Sequence, residues 1–90
     1  MEQKNEDLAA YRRKLKFRSW HRGTREMDLL MGSFADKYVD QFNDAELKQF
    51  EQLLTSNDPD LYNWVTGQEQ PPANDINPVF QKFLAHRIIE

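Results

Sequence analysis

The chain has 90 residues, with 12 Lys or Arg against 15 Asp or Glu, a net charge of -3 and no cysteine. So short a chain fills one core, and without a thiol neither disulfides nor thiolate metal sites can reinforce it. No apolar run approaches the ~20 residues that span a bilayer, and the acid-bearing start Met1-Glu2-Gln3-Lys4-Asn5-Glu6-Asp7 resembles neither a secretory signal nor a transit peptide, so a cytoplasmic protein without membrane contact is expected.

Helical periodicity begins near Asp7 and continues through the chain. A first helix is predicted from about Asp7 to Phe17, with Leu8, Tyr11 and Leu15 along one side and Arg12, Arg13, Lys14, Lys16 and Arg18 around the rest. Phe17 falls opposite Leu15 and Trp20 lies beyond, so aromatic groups stand outside the apolar stripe. The helix breaks near His21-Arg22-Gly23, because glycine disfavours a helix interior by about 1 kcal/mol relative to alanine.

A second helix follows from about Thr24 to Gln41, with Met27, Leu30, Met31, Phe34, Ala35, Tyr38 and Val39 as a broad apolar face. Thr24 or Ser19 is its candidate N-cap, Glu26 and Asp28 favour its positive end, and Gly32 inside it permits a close approach by a neighbouring helix. Asn43-Asp44-Ala45-Glu46 reads as a capping box opening a third helix that buries Leu47, Phe50, Leu53 and Leu54.

Asp58-Pro59 reads as N-cap and N1 of a short fourth helix, which buries Leu61, Trp64 and Val65 and stops at Gly67. Residues 68–76, with Pro71-Pro72, form a linker, and Asn77-Pro78 opens a last helix over 77–90 with Val79, Phe80, Phe83, Leu84 and Ile88 as its apolar side. The expected fold is all-α, a single domain built as a compact bundle of five short helices with a flexible stretch over 1–7.

Charge is unevenly spread. Residues 1–25 hold eight Lys or Arg against three acids, a balance of +5, while residues 26–90 hold four against twelve, a balance of -8. The basic, aromatic-interleaved run Tyr11–Arg22 is the natural nucleic-acid candidate, but phosphate would repel the acidic remainder. Such a dipolar chain suits an acidic protein partner better.

Enzymatic readings find little support. The three glycines are isolated, so no phosphate-cradling loop exists, and His21 and His86 stand far apart without spaced partner ligands, so no metal site is expected. Ser19, Ser33 and Ser56 have no visible histidine–acid pair.

The segment Arg22-Gly23-Thr24-Arg25-Glu26 has two readings. Arg22 and Glu26 stand four residues apart and can form a weak surface ion pair, although arginine before glutamate is the poorer order for one and Gly23 interrupts the helix. Alternatively, the segment is a turn at a helix N-terminus that exposes backbone N–H groups. Gly23 would then allow a partner's backbone close, and Arg22 and Glu26 would supply a paired donor and acceptor.

This segment and the apolar run after it, Met27-Asp28-Leu29-Leu30-Met31-Gly32-Ser33-Phe34-Ala35, resemble the small FAD assembly factors of succinate dehydrogenase (the SdhE type), whose signature is Arg-Gly-x-x-Glu. Phe50-Glu51-Gln52-Leu53-Leu54 and Asp58-Pro59-Asp60-Leu61-Tyr62-Asn63-Trp64 agree as well, so that the resemblance covers about residues 12–72, with 8–67 as the family core of the domain. It implies a monomeric, non-enzymatic five-helix factor. Such a factor binds the flavoprotein subunit of succinate dehydrogenase, and of fumarate reductase, and promotes covalent attachment of FAD to a histidine there.

On that reading the bond-forming chemistry belongs to the flavoprotein, and the factor binds no cofactor itself. Arg22, Gly23 and Glu26 are the implied contact residues, with Trp20, Met27 and Asp28 secondary; Met27 is equally placed to be core. The rival reading is a small regulatory module, antitoxin-like, that grips another protein through its basic first helix.

Overall fold

The structure, a computed structural model, describes the backbone of residues 2–86 and the side chains of residues 7–86. Its described residues form five α-helices and no strand: α1 (Glu2–Trp20), α2 (Arg25–Tyr38), α3 (Asp44–Leu54), α4 (Asp58–Thr66) and α5 (Pro78–Ala85), with 3-10 turns at Val39–Gln41 and Ala73–Asp75. The all-α class and the five helices agree with the sequence reading. The helices group into two units, one ending at Gln41 and the other beginning at Phe42.

In the first unit α1 packs along α2 and the 3-10 turn. The helix α1 is longer than its apolar stripe predicts. Its backbone is helical from Glu2, ahead of the predicted start near Asp7, and it runs on to Trp20. Ser19 is not the N-cap of the next helix; it is fully buried in α1 and its hydroxyl donates to the Leu15 carbonyl at 2.7 Å.

Leu15 meets the expectation of a core position, as do Met27, Leu30, Met31, Phe34, Ala35 and Val39 from the second helix and its end. The predicted last turn of that helix tightens to 3-10 geometry from Val39, as helix ends commonly do. Two contacts tie α1 to this turn: Arg12 Nε donates to the Val39 carbonyl at 3.2 Å, and Lys16 Nζ pairs with Asp40 at 2.9 Å.

Gly32 has the role its position suggests. A Cβ built there would collide with the indole carbons of Trp20, so α1 can bring its terminal ring against α2 only because residue 32 is glycine.

The second unit starts with the predicted capping box. Asn43 Oδ1 accepts from the Glu46 amide, and Glu46 Oε1 accepts from the Asn43 amide, both at 2.9 Å. Leu47, Phe50, Leu53 and Leu54 are buried as expected, and α3 packs on α5.

The N-cap of α4 is Asn57 and not Asp58: Asn57 Oδ1 accepts from the Asp60 amide at 3.0 Å. Asp58 is thus the first helical residue and Pro59 the second, where its missing N–H is equally harmless. Leu61 is fully buried, whereas Trp64 and Val65 are only half-buried; the Trp64 ring lies against Phe80 with centroids 5.5 Å apart.

Gly67 ends α4 in the left-handed region, with φ +82°. Asn77 caps α5 through the Phe80 amide at 2.8 Å and Pro78 follows at its first position, as read. Val79, Phe80 and Phe83 are buried, and Leu84 is half-buried. The helix ends at Ala85 with His86 extended, and the rest of the predicted span, 87–90 with Ile88, lies outside the described residues.

Candidate functional site

Between Trp20 and Arg25 the chain leaves one helix and enters the next within four residues, and three devices hold that short loop. The first is the Trp20 anchor: its ring rests on Gly32 and its Nε1 donates to Asp36 Oδ1 at 3.3 Å. The second is the Thr24 N-cap, whose hydroxyl accepts from the Met27 amide at 3.3 Å while its carbonyl accepts from the Asp28 amide at 2.9 Å.

The third device is Asp28. Its Oδ1 accepts two backbone amides from the preceding loop, that of Arg22 at 2.5 Å and that of Gly23 at 3.2 Å. One carboxylate therefore satisfies two donors ahead of α2 while lying in the first turn, where negative charge also suits the helix dipole. Gly23 itself has φ +136°, a conformation that side-chain-bearing residues rarely adopt. The loop path thus depends on glycine at 23 and on a short acceptor at 28.

This corrects one expectation. The turn does not offer the Arg22 and Gly23 amides to a partner, because Asp28 already holds both. The surface ion pair between Arg22 and Glu26 is not formed either. Among the described residues the Glu26 carboxylate has no hydrogen bond and no ion pair, although Glu26 is exposed in the first turn of α2. What the loop presents outward is Gly23, Thr24, Arg25 and Glu26, with Arg22 half-buried beside them.

The six residues singled out by sequence divide into two groups. Arg22, Gly23 and Glu26 lie on or at the surface. Trp20 and Asp28 are half-buried and hold the loop's shape, and Met27, 3 % exposed, sits in the core beneath it. Fixing a short segment in this way lowers the ordering cost of presenting it to a partner.

The Phe17–His21 pair was not singled out as a unit in the sequence. The two rings, one turn apart at the end of α1, stack with centroids 3.9 Å apart and planes 22° from parallel. Their spacing of four residues was the available signal. Phe17, Arg18, His21 and Arg22 line an open surface hollow next to the loop.

No group of three or more His, Cys, Asp or Glu side chains among the described residues is placed to hold a metal ion. Nor is any helix among them long and apolar enough to cross a membrane.

A family model described as "Flavinator of succinate dehydrogenase" (Sdh5) matches residues 13–87. The chain is 38 % identical over 79 residues to a protein of Acetobacter pasteurianus named FAD assembly factor SdhE, covering 88 % of this chain and 72 % of that one. It is 46 % identical over 50 residues to a Legionella pneumophila protein of the same name, covering 56 % of this chain and 63 % of the relative. It is also 41 % identical over 84 residues to the mitochondrial succinate dehydrogenase assembly factor 2-B of Drosophila ananassae, covering 91 % of this chain but 52 % of the relative. An Aspergillus flavus relative is matched over only 23 % of its length. No solved structure matches the chain.

Proposed function

The chain belongs to the family of succinate dehydrogenase flavinators, and from that premise we propose that it is an assembly factor which binds the flavoprotein subunit of succinate dehydrogenase and promotes covalent attachment of FAD to it. It is not an enzyme, since the family acts in assembly; on this proposal bond formation belongs to the flavoprotein and its flavin. The proposal extends to the flavoprotein of fumarate reductase. It takes the factor as a cytoplasmic monomer that holds no flavin of its own and binds no nucleic acid.

One observation carries the reading. The Arg22–Glu26 segment is a fixed loop and helix start whose glycine occupies a conformation that disfavours any side chain, beside a carboxylate with no partner among the described residues. An exposed acceptor in the first helical turn, next to a half-buried guanidinium and a side-chain-free backbone position, supports docking of a partner's polar backbone and cationic groups.

The mechanism is a population shift. A factor that binds one conformer of the flavoprotein more tightly raises that conformer's share by its differential affinity and no more. If the favoured conformer holds the acceptor histidine against the flavin and aims donors at the charge developing on the ring, attachment accelerates although the factor contributes no reacting group.

The test is covalent flavin in the denatured flavoprotein, read as in-gel fluorescence, with and without the factor. Loading should depend on the factor. Loading unchanged by its removal would favour the rival reading, a regulatory module acting on some other protein.

A further inference from the structure

Phe17 is 63 % exposed, the most exposed of the large apolar side chains on the described surface. A lone exposed aromatic needs no explanation, but this one is held. Its ring is stacked on His21, and His21 Nδ1 lies 2.7 Å from the Phe17 carbonyl. A carbonyl oxygen only accepts, so Nδ1 is the donor and the contact fixes the plane of the imidazole. The pair is thus a rigid two-ring plate standing outside the apolar stripe of α1.

The plate's surroundings are cationic. Arg18 and Arg22 share its hollow, Arg13 and Lys14 are exposed on the same helix, and Arg25 is exposed on the adjoining turn. No acid occurs from Leu8 to Arg25.

We propose that the Phe17–His21 plate is the apolar anchor of the flavoprotein interface, seated in an apolar recess rimmed by Asp and Glu side chains of the partner. The inference rests on the reading of this chain as a flavoprotein-binding factor and extends it from the Arg22–Glu26 loop to the end of α1. Continuity supports it, since Arg22 belongs both to the loop and to the hollow beside Phe17. Rigidity supports it too, because a ring already held in one orientation loses little freedom on binding, and few-rotamer aromatics dominate interface energetics. Charge complementarity sets the chemistry of the rim, as cations around the plate would repel a basic surface and speed encounter with an acidic one.

The experiment measures binding of the full chain to the purified flavoprotein subunit, with Gly23→Arg as reference variant and circular dichroism as the control for folding. Phe17→Ala should raise Kd about tenfold or more, Phe17→Tyr should stay near wild type, and His21→Ala should fall between, since it frees the ring without removing it. Arg18→Glu should lower the association rate, and the wild-type rate should fall as salt is raised.

If Gly23→Arg abolishes binding while Phe17→Ala stays within about twofold of wild type, the anchor is refuted and the flavoprotein reading stands. If the wild-type chain does not bind the subunit, both are overturned. If Phe17→Ala removes retention of single-stranded RNA but leaves flavoprotein affinity unchanged, the plate serves nucleic acid and the proposal is overturned.

Discussion

Replacing Asp28 by alanine removes the acceptor for two loop amides at once, those of Arg22 at 2.5 Å and Gly23 at 3.2 Å. A hydrogen bond to a charged group contributes about 1.5–3 kcal/mol when well shielded. Asp28 is half-buried, so water can replace part of that, and the longer of the two bonds is weak. Loss of a carboxylate from the first turn adds roughly 0.3–1 kcal/mol through the helix dipole.

The expected total is about 1–3 kcal/mol, which for a chain of this length lowers Tm by roughly 5–15 °C. Asp28→Asn keeps a carbonyl acceptor and loses the charge, so its cost should be about half as large. Urea titration gives the energies, and amide hydrogen exchange at residues 22 and 23 gives the cause. Both amides should lose protection in Asp28→Ala beyond what the global change explains. An unchanged midpoint, with both amides still protected, would refute the assignment of Asp28 as the residue that holds the loop.

Gly32→Ala forces the Trp20 ring off α2, since the new methyl occupies its place; a loss of about 1–3 kcal/mol is expected. Its signature is altered tryptophan fluorescence near the loop, and unchanged emission with unchanged stability would contradict the contact. Asn43→Ala removes the side-chain half of the capping box, leaving the residue-43 amide to Glu46, and should cost about 0.5–2 kcal/mol by denaturant titration, with Asn43→Asp retaining most of the stability. Glu26→Ala removes a carboxylate with no partner among the described residues, so stability should fall by no more than the roughly 0.3–1 kcal/mol of its first-turn charge while flavoprotein binding falls. A loss well beyond that would mean that the carboxylate has an internal role.

Much of the fold was readable because its signals are local. Asn43 with Glu46, Asn77 with Pro78, and Gly67 each satisfy or end a helix within a turn of themselves, and each stands where the sequence placed it. The start of α1 was hidden because nothing apolar marks residues 2–6. Asn57 and Asp58 are adjacent and equally able to cap, so the shift by one residue turned on whether Pro59 stands first or second, and both are tolerated.

At the site, Gly23 and Thr24 announced a turn and a helix start. Asp28 read as an ordinary acid in a first helical turn, because its reach to amides five and six residues upstream depends on the path of the loop and on no spacing rule. Gly32 was legible as a point of close approach, but the ring it accommodates, Trp20, was not. Met27 had two equal readings on the apolar stripe, and burial to 3 % places it in the core.

The central claim is that the Arg22–Glu26 loop biases a flavoprotein toward covalent flavin attachment. The most direct measurement is the rate of covalent FAD incorporation into purified flavoprotein subunit, followed with wild-type factor, with Gly23→Arg and with no factor. At residue 23, with φ +136°, a side chain is strained and would project from an exposed loop. The account predicts a folded helical variant whose incorporation rate matches the reaction without factor. A folded Gly23→Arg chain that supports the full wild-type rate would contradict it.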